Sequence, residues 1–199
     1  MYLNRNQKIT LNKQKILAAA ERLLIDNDQD IVIGDLAKEL DIAKGTIYKY
    51  FKSKNQLYLE LLIENEKRIL DLSKKYKTNM KENVEKYMLY HMLNSSRTIL
   101  FHSIEERIAG QDKKLKDLFN SLYMIREERI LELNDLIENF LYRDTEQISV
   151  RDYLFYVWTL TYGASLLLSS TGFQMSINER ERIINFHIKQ AYMLSSVTY

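Results

Sequence analysis

The 199-residue chain contains no proline and only five glycines, so it lacks most of the residues that break helices and form tight turns. Apolar residues recur at intervals of three and four along nearly the whole sequence, as they do on one face of a helix. These features predict an all-α fold of about nine helices. The first helix is expected to begin after Thr10 or Asn12, and a long helix is expected to begin near Lys54. Asn79 and Ser149 are predicted helix N-caps.

A short helix over 35–40, a turn over 41–43 and a second helix from residue 44 have the spacing of a helix-turn-helix motif. Leu36 and Leu40 give the first of these helices an apolar face, and Ile47 and Phe51 give the second helix a matching one. In such a motif the second helix is held outward, where it can enter the major groove of DNA. The spacing therefore predicts a DNA-binding unit near the start of the chain.

The second helix lies in the stretch KGTIYKYFKSK, residues 44–54, within an acid-free window over 42–59. The net charge is only +2, but the first 58 residues hold ten Lys or Arg against seven Asp or Glu. A solvated basic helix with packed aromatics is the plainer interpretation, yet the charges coincide with the helix-turn-helix spacing. We therefore predict DNA contacts from side chains that can bond phosphates or base edges, and from a glycine that permits close approach: Lys44, Gly45, Thr46, Tyr48, Lys49, Tyr50 and Lys54.

The stretches ILAAAERLL (16–24) and IGDLAKELDIAKGTIYKYFKSKNQLY (33–58) resemble the N-terminal domain of the TetR family of bacterial transcriptional regulators. The resemblance implies an N-terminal three-helix DNA-binding domain over 1–58, joined to a C-terminal helical ligand-binding and dimerisation domain over 59–199. It also implies a homodimer that represses transcription from a double-stranded, near-palindromic operator and is released by a small-molecule effector. The family's DNA contacts fall on Lys44, Thr46, Tyr48 and Tyr50, with Lys54 on phosphate.

Several positions depart from the family pattern. Asp41 stands where the family usually has a glycine in the turn, and Asn27–Asp28 stand where its first helix usually ends in glycine. Both sites are expected to need a left-handed backbone, which Asn and Asp tolerate better than other side chains. Residues 31–33 offer no hydroxyl to cap the second helix, and Gly34 has no side chain to reach DNA. We expect few side-chain contacts from that helix.

Residues 153–178 contain no charged side chain, which raises the possibility of a membrane span. Interspersed Ser and Thr residues, and the absence of a flanking basic cluster, favour instead a helix buried between its own body and a partner subunit. We predict a four-helix dimer interface formed by this helix and the last one. Its predicted residues are Gly163, Ile184, Ile188 and Ala191.

Aromatic and histidine side chains on the central helices could line an apolar pocket with a few polar groups. The candidate ligand-binding residues are His91, Tyr123, Trp158 and Tyr162, and the expected effector is a largely apolar or aromatic molecule. Plain core packing would explain the same residues. The alternative function is a DNA-bound interaction protein of the nucleoid-occlusion type, regulated by a protein partner. A small-molecule regulator predicts a body cavity, whereas the alternative predicts a filled core.

Catalytic and metal-binding patterns are absent from the sequence. The three histidines, His91, His102 and His187, have no metal-ligand spacing, and there is neither a glycine-rich phosphate loop nor a cysteine. We predict no enzymatic activity, no metal and no cofactor. The first residues show no apolar signal segment, so a cytoplasmic protein with no membrane partner is expected.

Overall fold

The computed structural model describes residues 4–27, 30–110, 113–141, 148–174 and 180–193, and every regular element in these ranges is helical. Nine helices have seven residues or more, and the others are one four-residue helix and one 3-10 turn over 113–115. In chain order the helices are α1 (Arg5–Asn27), α2 (Ile33–Glu39), α3 (Lys44–Tyr50), α4 (Lys54–Lys75), α5 (Met80–Met92), α6 (Ser95–Ile108), α7 (Lys116–Leu141), α8 (Val150–Ser169), the four-residue α9 (Thr171–Gln174) and α10 (Arg180–Met193).

Helix α1 begins earlier than its sequence pattern predicts. The Asn4 side chain accepts a hydrogen bond from the Gln7 backbone N–H at 2.8 Å, and the Gln7 side chain accepts one from the Asn4 N–H at 2.9 Å. This reciprocal cap satisfies two backbone donors at the helix start. The predicted start after Thr10 or Asn12 is therefore wrong, because both residues lie inside the helix.

Helices α1 to α3, which we call the head, pack around one apolar cluster. Leu24, Leu36, Ile47 and Phe51 are buried there, and they hold α2 against α3 in the helix-turn-helix arrangement. Asp41 in the turn has a φ of 52°, which confirms the left-handed backbone predicted at that site. The predicted site at Asp28 lies outside the described residues. No side chain caps α2, as the missing hydroxyl predicted.

Helix α4 joins the head to the remaining helices, α5 to α10, which we call the body. It begins where predicted, because the Ser53 hydroxyl accepts a hydrogen bond from the Gln56 N–H at 3.1 Å. The apolar cluster of the head continues through α4 to Phe101 and Ile104 on α6 and to Leu122 on α7. Helices α6 and α7 of the body therefore share one apolar core with the head.

A second apolar cluster lies in the body among α5, α7, α8 and α10. It contains Ile184, Ile188 and Ala191, whose exposed fractions within a single chain are only 5, 7 and 0%. This corrects their prediction as dimer-interface residues, because side chains enclosed by their own protomer cannot meet a partner. Helices α8 and α10 are linked by Tyr153 on α8, whose hydroxyl donates a hydrogen bond to the Ala191 carbonyl on α10 at 3.0 Å. Among the described residues, no helix combines the length and apolar character that a bilayer crossing needs.

Candidate functional site

Helix α3 is packed against the head on one side and exposed to solvent on the other. Ile47 and Phe51 are each only 1% exposed, so their packing determines which side of α3 faces outward. That outward side carries Lys44, Tyr48 and Lys49, all solvent-exposed. The remaining predicted residues of this surface are the exposed Gly45, which has nothing within 4 Å of its Cβ position, and the half-buried Thr46. The arrangement leaves a basic, hydrogen-bonding surface free to approach a polyanion.

Two of the predicted DNA-binding residues already have partners in the chain. The Tyr50 hydroxyl accepts a hydrogen bond from the Asn12 side chain at 3.2 Å, so it faces α1. The Lys54 ammonium lies 3.2 Å from the Asp30 carboxylate and 5.5 Å from the centre of the Tyr58 ring. To bind a phosphate, Lys54 must therefore either leave Asp30 or contact Asp30 and the phosphate at the same time.

Asp30 is a junction between the head, α4 and the body. Its carboxylate pairs with Arg107 on α6 at 2.8 Å and accepts a hydrogen bond from the Tyr58 hydroxyl at 3.1 Å. Partial burial disfavours its charge, but bonds from Arg107, Lys54 and Tyr58 outweigh that effect and hold the Asp30 pKa below its ordinary value. The Tyr58 hydroxyl also accepts a hydrogen bond from the Ile31 backbone N–H at 3.0 Å. No local pattern could have revealed this junction, because its residues come from distant parts of the sequence.

A cavity of about 540 Å³ lies between α4, α5, α6, α7 and α8. Of the four predicted ligand-binding residues, His91, Tyr123 and Trp158 lie on its wall. Tyr123 is exposed, whereas His91 is buried. Tyr162 lies behind the wall, where its ring packs 5.6 Å from that of Trp158 and 4.7 Å from that of His102.

His91 is held in one orientation by rings and one hydrogen-bond chain. Its ring packs edge-on against Tyr87 at 4.8 Å and Trp158 at 5.3 Å between centroids. The Thr98 hydroxyl donates to the His91 carbonyl at 3.1 Å, so that hydroxyl can only accept from His91 Nδ1, which lies 3.2 Å away. We accordingly assign the proton to Nδ1, which leaves Nε2 as a buried acceptor with no hydrogen-bond partner.

Charged side chains of the cavity wall form ion pairs with one another. Buried Glu66 accepts a hydrogen bond from Arg126 Nε at 3.0 Å and lies 3.2 Å from Arg129 Nη2, an ion pair without hydrogen-bond geometry. Arg126 also makes a two-pronged bond to Glu105 at 2.7 and 2.8 Å. Burial opposes the charge of Arg126, yet these two carboxylates raise its pKa. Sequence reasoning missed this network, since its members lie on three different helices.

Several polar atoms around the cavity lack a hydrogen-bond partner. Besides His91 Nε2, they are Glu66 Oε1, Arg97 Nη2 and Arg129 Nε, and all four residues line the cavity. Buried polar atoms without partners are uncommon in folded proteins. No cluster of three metal-ligating side chains occurs in the described ranges.

The outer face of the last long helices is apolar and open in a single chain. Phe155, Leu166 and Leu167 on α8 are exposed, and so is Phe186 on α10. Gly163, the remaining predicted interface residue, lies on the same side of α8 and has nothing within 4 Å of its Cβ position. This face is therefore free to meet another helix at close range.

An all-α chain with a helix-turn-helix head, joined by one long helix to a body that contains a cavity, has the architecture of a DNA-binding regulator. A family model described as bacterial regulatory proteins, tetR family, matches residues 16–61. The helix-turn-helix head therefore matches the tetR family of bacterial regulatory proteins, whereas the family model does not extend over the body.

Known proteins share both sequence and fold with the chain. It is 36% identical over 83 residues to the HTH-type transcriptional regulator QacR of Staphylococcus aureus (strain Mu50 / ATCC 700699), a match that spans 41% of this chain and 44% of that protein. A solved structure from Mesorhizobium loti MAFF303099, described as a TetR-family transcriptional regulator, has a TM-score of 0.63 at 15% identity and covers 96% of this chain and 98% of that one. A transcriptional-regulator structure from Rhodococcus sp. RHA1 has a TM-score of 0.62 at 15% identity, covering 90 and 95%. These two structures show a shared fold.

Proposed function

We propose that the chain is a ligand-responsive transcriptional repressor that binds a near-palindromic operator as a homodimer and is released by a small apolar or aromatic molecule. The DNA-binding domain is residues 1–58, and the regulatory and dimerisation domain is residues 59–199. The observation that carries the proposal is a cavity of about 540 Å³ lined in part by aromatic rings, in a body whose helices α6 and α7 share one apolar core with a basic helix-turn-helix head. The proposal includes no catalytic step.

The outer side of α3 reads DNA in this proposal. Lys44 and Lys49 meet phosphates or guanine edges, Thr46 and Tyr48 bond phosphates or bases, and Gly45 allows the backbone to come close. Tyr50 supports α3 through its bond with Asn12 and reaches DNA from the flank. Lys54 binds phosphate, with Arg107 remaining on Asp30 to balance that carboxylate.

The effector occupies the body cavity in this proposal. Tyr123 and Trp158 supply apolar ring surface, and Tyr162 supports Trp158 from behind. His91 Nε2 offers an acceptor, so the favoured effector is an aromatic molecule with a hydroxyl or N–H group. A cavity of this size supports a small-molecule signal over the protein-partner alternative, which predicts a filled core.

The homodimer forms through the outer faces of α8 and α10. Gly163 lets the partner helix approach closely, and Phe155, Leu166 and Phe186 supply apolar area. The two copies of α3 then lie one DNA turn apart, about 34 Å, which requires a near-palindromic site.

The test is selection of bound duplexes from a random DNA pool by the purified protein at fixed salt. Enrichment of a near-palindrome with half-sites one turn apart is expected. Tyr48→Ala and Lys49→Ala are expected to weaken binding to that sequence, whereas Lys116→Ala at the exposed start of α7 serves as the control and leaves it unchanged. Binding without any enriched sequence would contradict the operator proposal.

The effector is tested separately, by a thermal-shift screen with small aromatic compounds. A compound that binds only the folded protein raises the melting temperature and is expected to release the selected duplex. A Trp158→Ala variant should lose both responses and retain DNA binding. If aromatic compounds raise the melting temperature but never release the duplex, the cavity is not the regulatory site.

A further inference from the structure

The first turns of α1 form a surface that the tetR family match does not include. The match begins at residue 16, whereas the helix begins at Arg5. Residues 4–15 carry four basic side chains, Arg5, Lys8, Lys13 and Lys15, and no acidic one. Apart from partly buried Lys13, every residue from 4 to 15 is exposed, so this segment extends beyond the packed part of the head.

The basic side chains have a defined direction. Arg5, Lys8, Asn12 and Lys15 follow one another at intervals of three, four and three residues, which places them on one stripe of a helix. The stripe is about 15 Å long, from the rise of 1.5 Å per residue. Asn12, in this stripe, donates to the Tyr50 hydroxyl at the end of α3. The stripe therefore faces the same side of the head as the C-terminal end of α3.

The four basic groups divide into one anchor and three free cations. Lys13 pairs with Glu60 on α4 and lies 5.6 Å from the centre of the Phe51 ring, so it fixes α1 to the head. Arg5, Lys8 and Lys15 pair with no carboxylate in the described part of the chain. Three unneutralised cations on one stripe beside the DNA-binding helix complement a line of phosphates.

We propose that the stripe Arg5, Lys8 and Lys15 is a second DNA-contacting surface, which binds backbone phosphates flanking the half-site that α3 reads. The inference rests on the proposed DNA-binding function and extends it to residues that precede the family match. The partner is the phosphodiester backbone of double-stranded DNA, because the stripe continues the surface of α3 and its three cations have no carboxylate partner in the described residues. Its contribution is independent of base sequence and sensitive to salt.

The experiment compares a triple variant, Arg5→Gln, Lys8→Gln and Lys15→Gln, with the wild type on the selected duplex. Glutamine is a good helix former and the three sites are exposed, so the fold is retained, which the melting temperature checks. The control variant is Lys75→Gln, Lys113→Gln and Lys116→Gln, which removes the same charge from exposed sites outside the head. Affinities are measured by fluorescence anisotropy between about 50 and 200 mM salt, the range over which phosphate contacts change affinity most visibly.

The triple variant is expected to make the negative slope of log affinity against log salt shallower by about 2 to 3 per protomer, since each phosphate contact contributes about 0.9 to its magnitude. The control should keep the wild-type slope. On a duplex trimmed to the two half-sites, wild type and triple variant should bind alike, because the flanking phosphates are gone. Equal slopes for the triple and control variants on the long duplex would overturn this inference and leave the DNA-binding function intact. A wild type that binds no duplex would overturn both.

Discussion

Stability in mild acid is expected to depend on one buried histidine. Burial, with the nearby charges of Arg129 and Arg97, lowers the pKa of His91 to about 3 from an ordinary value of 6.5. His91 is therefore protonated below about pH 6.5 in the unfolded chain, but only below about pH 3 in the native chain. Stability from the neutral, buried ring is complete above pH 6.5 and is lost progressively as the pH falls toward 3.

The magnitude follows from the two pKa values. Between pH 7.5 and pH 5.0 the unfolded state gains about 2 kcal/mol from protonation of this one residue. For a chain of this length that corresponds to a fall in melting temperature of roughly 4 to 8 °C. Other titrating groups add their own acid dependence, so the informative quantity is the difference between the wild type and a variant that lacks His91.

The variant is His91→Asn, whose side-chain amide can replace Nδ1 as the donor to Thr98. It loses ring packing and should be less stable than wild type at both pH values, but its loss between pH 7.5 and 5.0 should be smaller by about 2 kcal/mol. Urea unfolding at one fixed protein concentration measures this, because a dimer's apparent stability depends on concentration. Leu133→Ala, at a buried site of the cavity wall that carries no titratable group, is the control and should keep the wild-type loss. An equal loss in wild type and His91→Asn would refute the reasoning.

Two further predictions concern the head and the dimer. Tyr58→Phe removes the hydroxyl that bonds Asp30 and the Ile31 N–H, and should reduce the free energy of unfolding by about 1 to 3 kcal/mol in urea; an unchanged value would mean that the bonds contribute nothing. Phe186→Glu should shift the protein toward monomer in analytical ultracentrifugation, since it places a charge on the outer face of α10. Leu131→Glu on α7, an even more exposed site, should not change the oligomeric state.

Helix identity and several helix starts could be predicted from the sequence because they depend on local chemistry. Ser149 caps α8 by accepting the Asp152 N–H at 3.1 Å, and Asn79 caps α5 by accepting the Glu82 N–H at 3.2 Å. The start of α1 was predicted too late, since the cap formed by Asn4 and Gln7 precedes the apolar pattern on which the prediction relied.

Tertiary relations were harder to predict, for a physical reason. An apolar stripe on a helix indicates that a face is buried, but it does not indicate whether its own chain or a partner covers that face. Ile184 and Ile188 were assigned to a partner on this ground, although α8 and α5 cover them in the protomer. The cavity volume and the bonds of Arg126 to Glu66 and Glu105 depend on how five helices, α4 to α8, are spaced, and no local pattern records that spacing.

Helix α6 has a mechanical consequence for signalling between the two parts of the chain. Its first turn carries Arg97, 3.5 Å from Glu21 on α1, and its last turn carries Arg107 on Asp30. Between them, the same helix forms part of the cavity wall. Because α6 contacts the head at both ends, a tilt of this helix would move Arg97 and Arg107 in opposite directions relative to the head. Because the Arg107–Asp30 pair is open to solvent whereas the Arg97–Glu21 pair is largely buried, salt weakens the attachment at the last turn of α6 more than the one at its first turn.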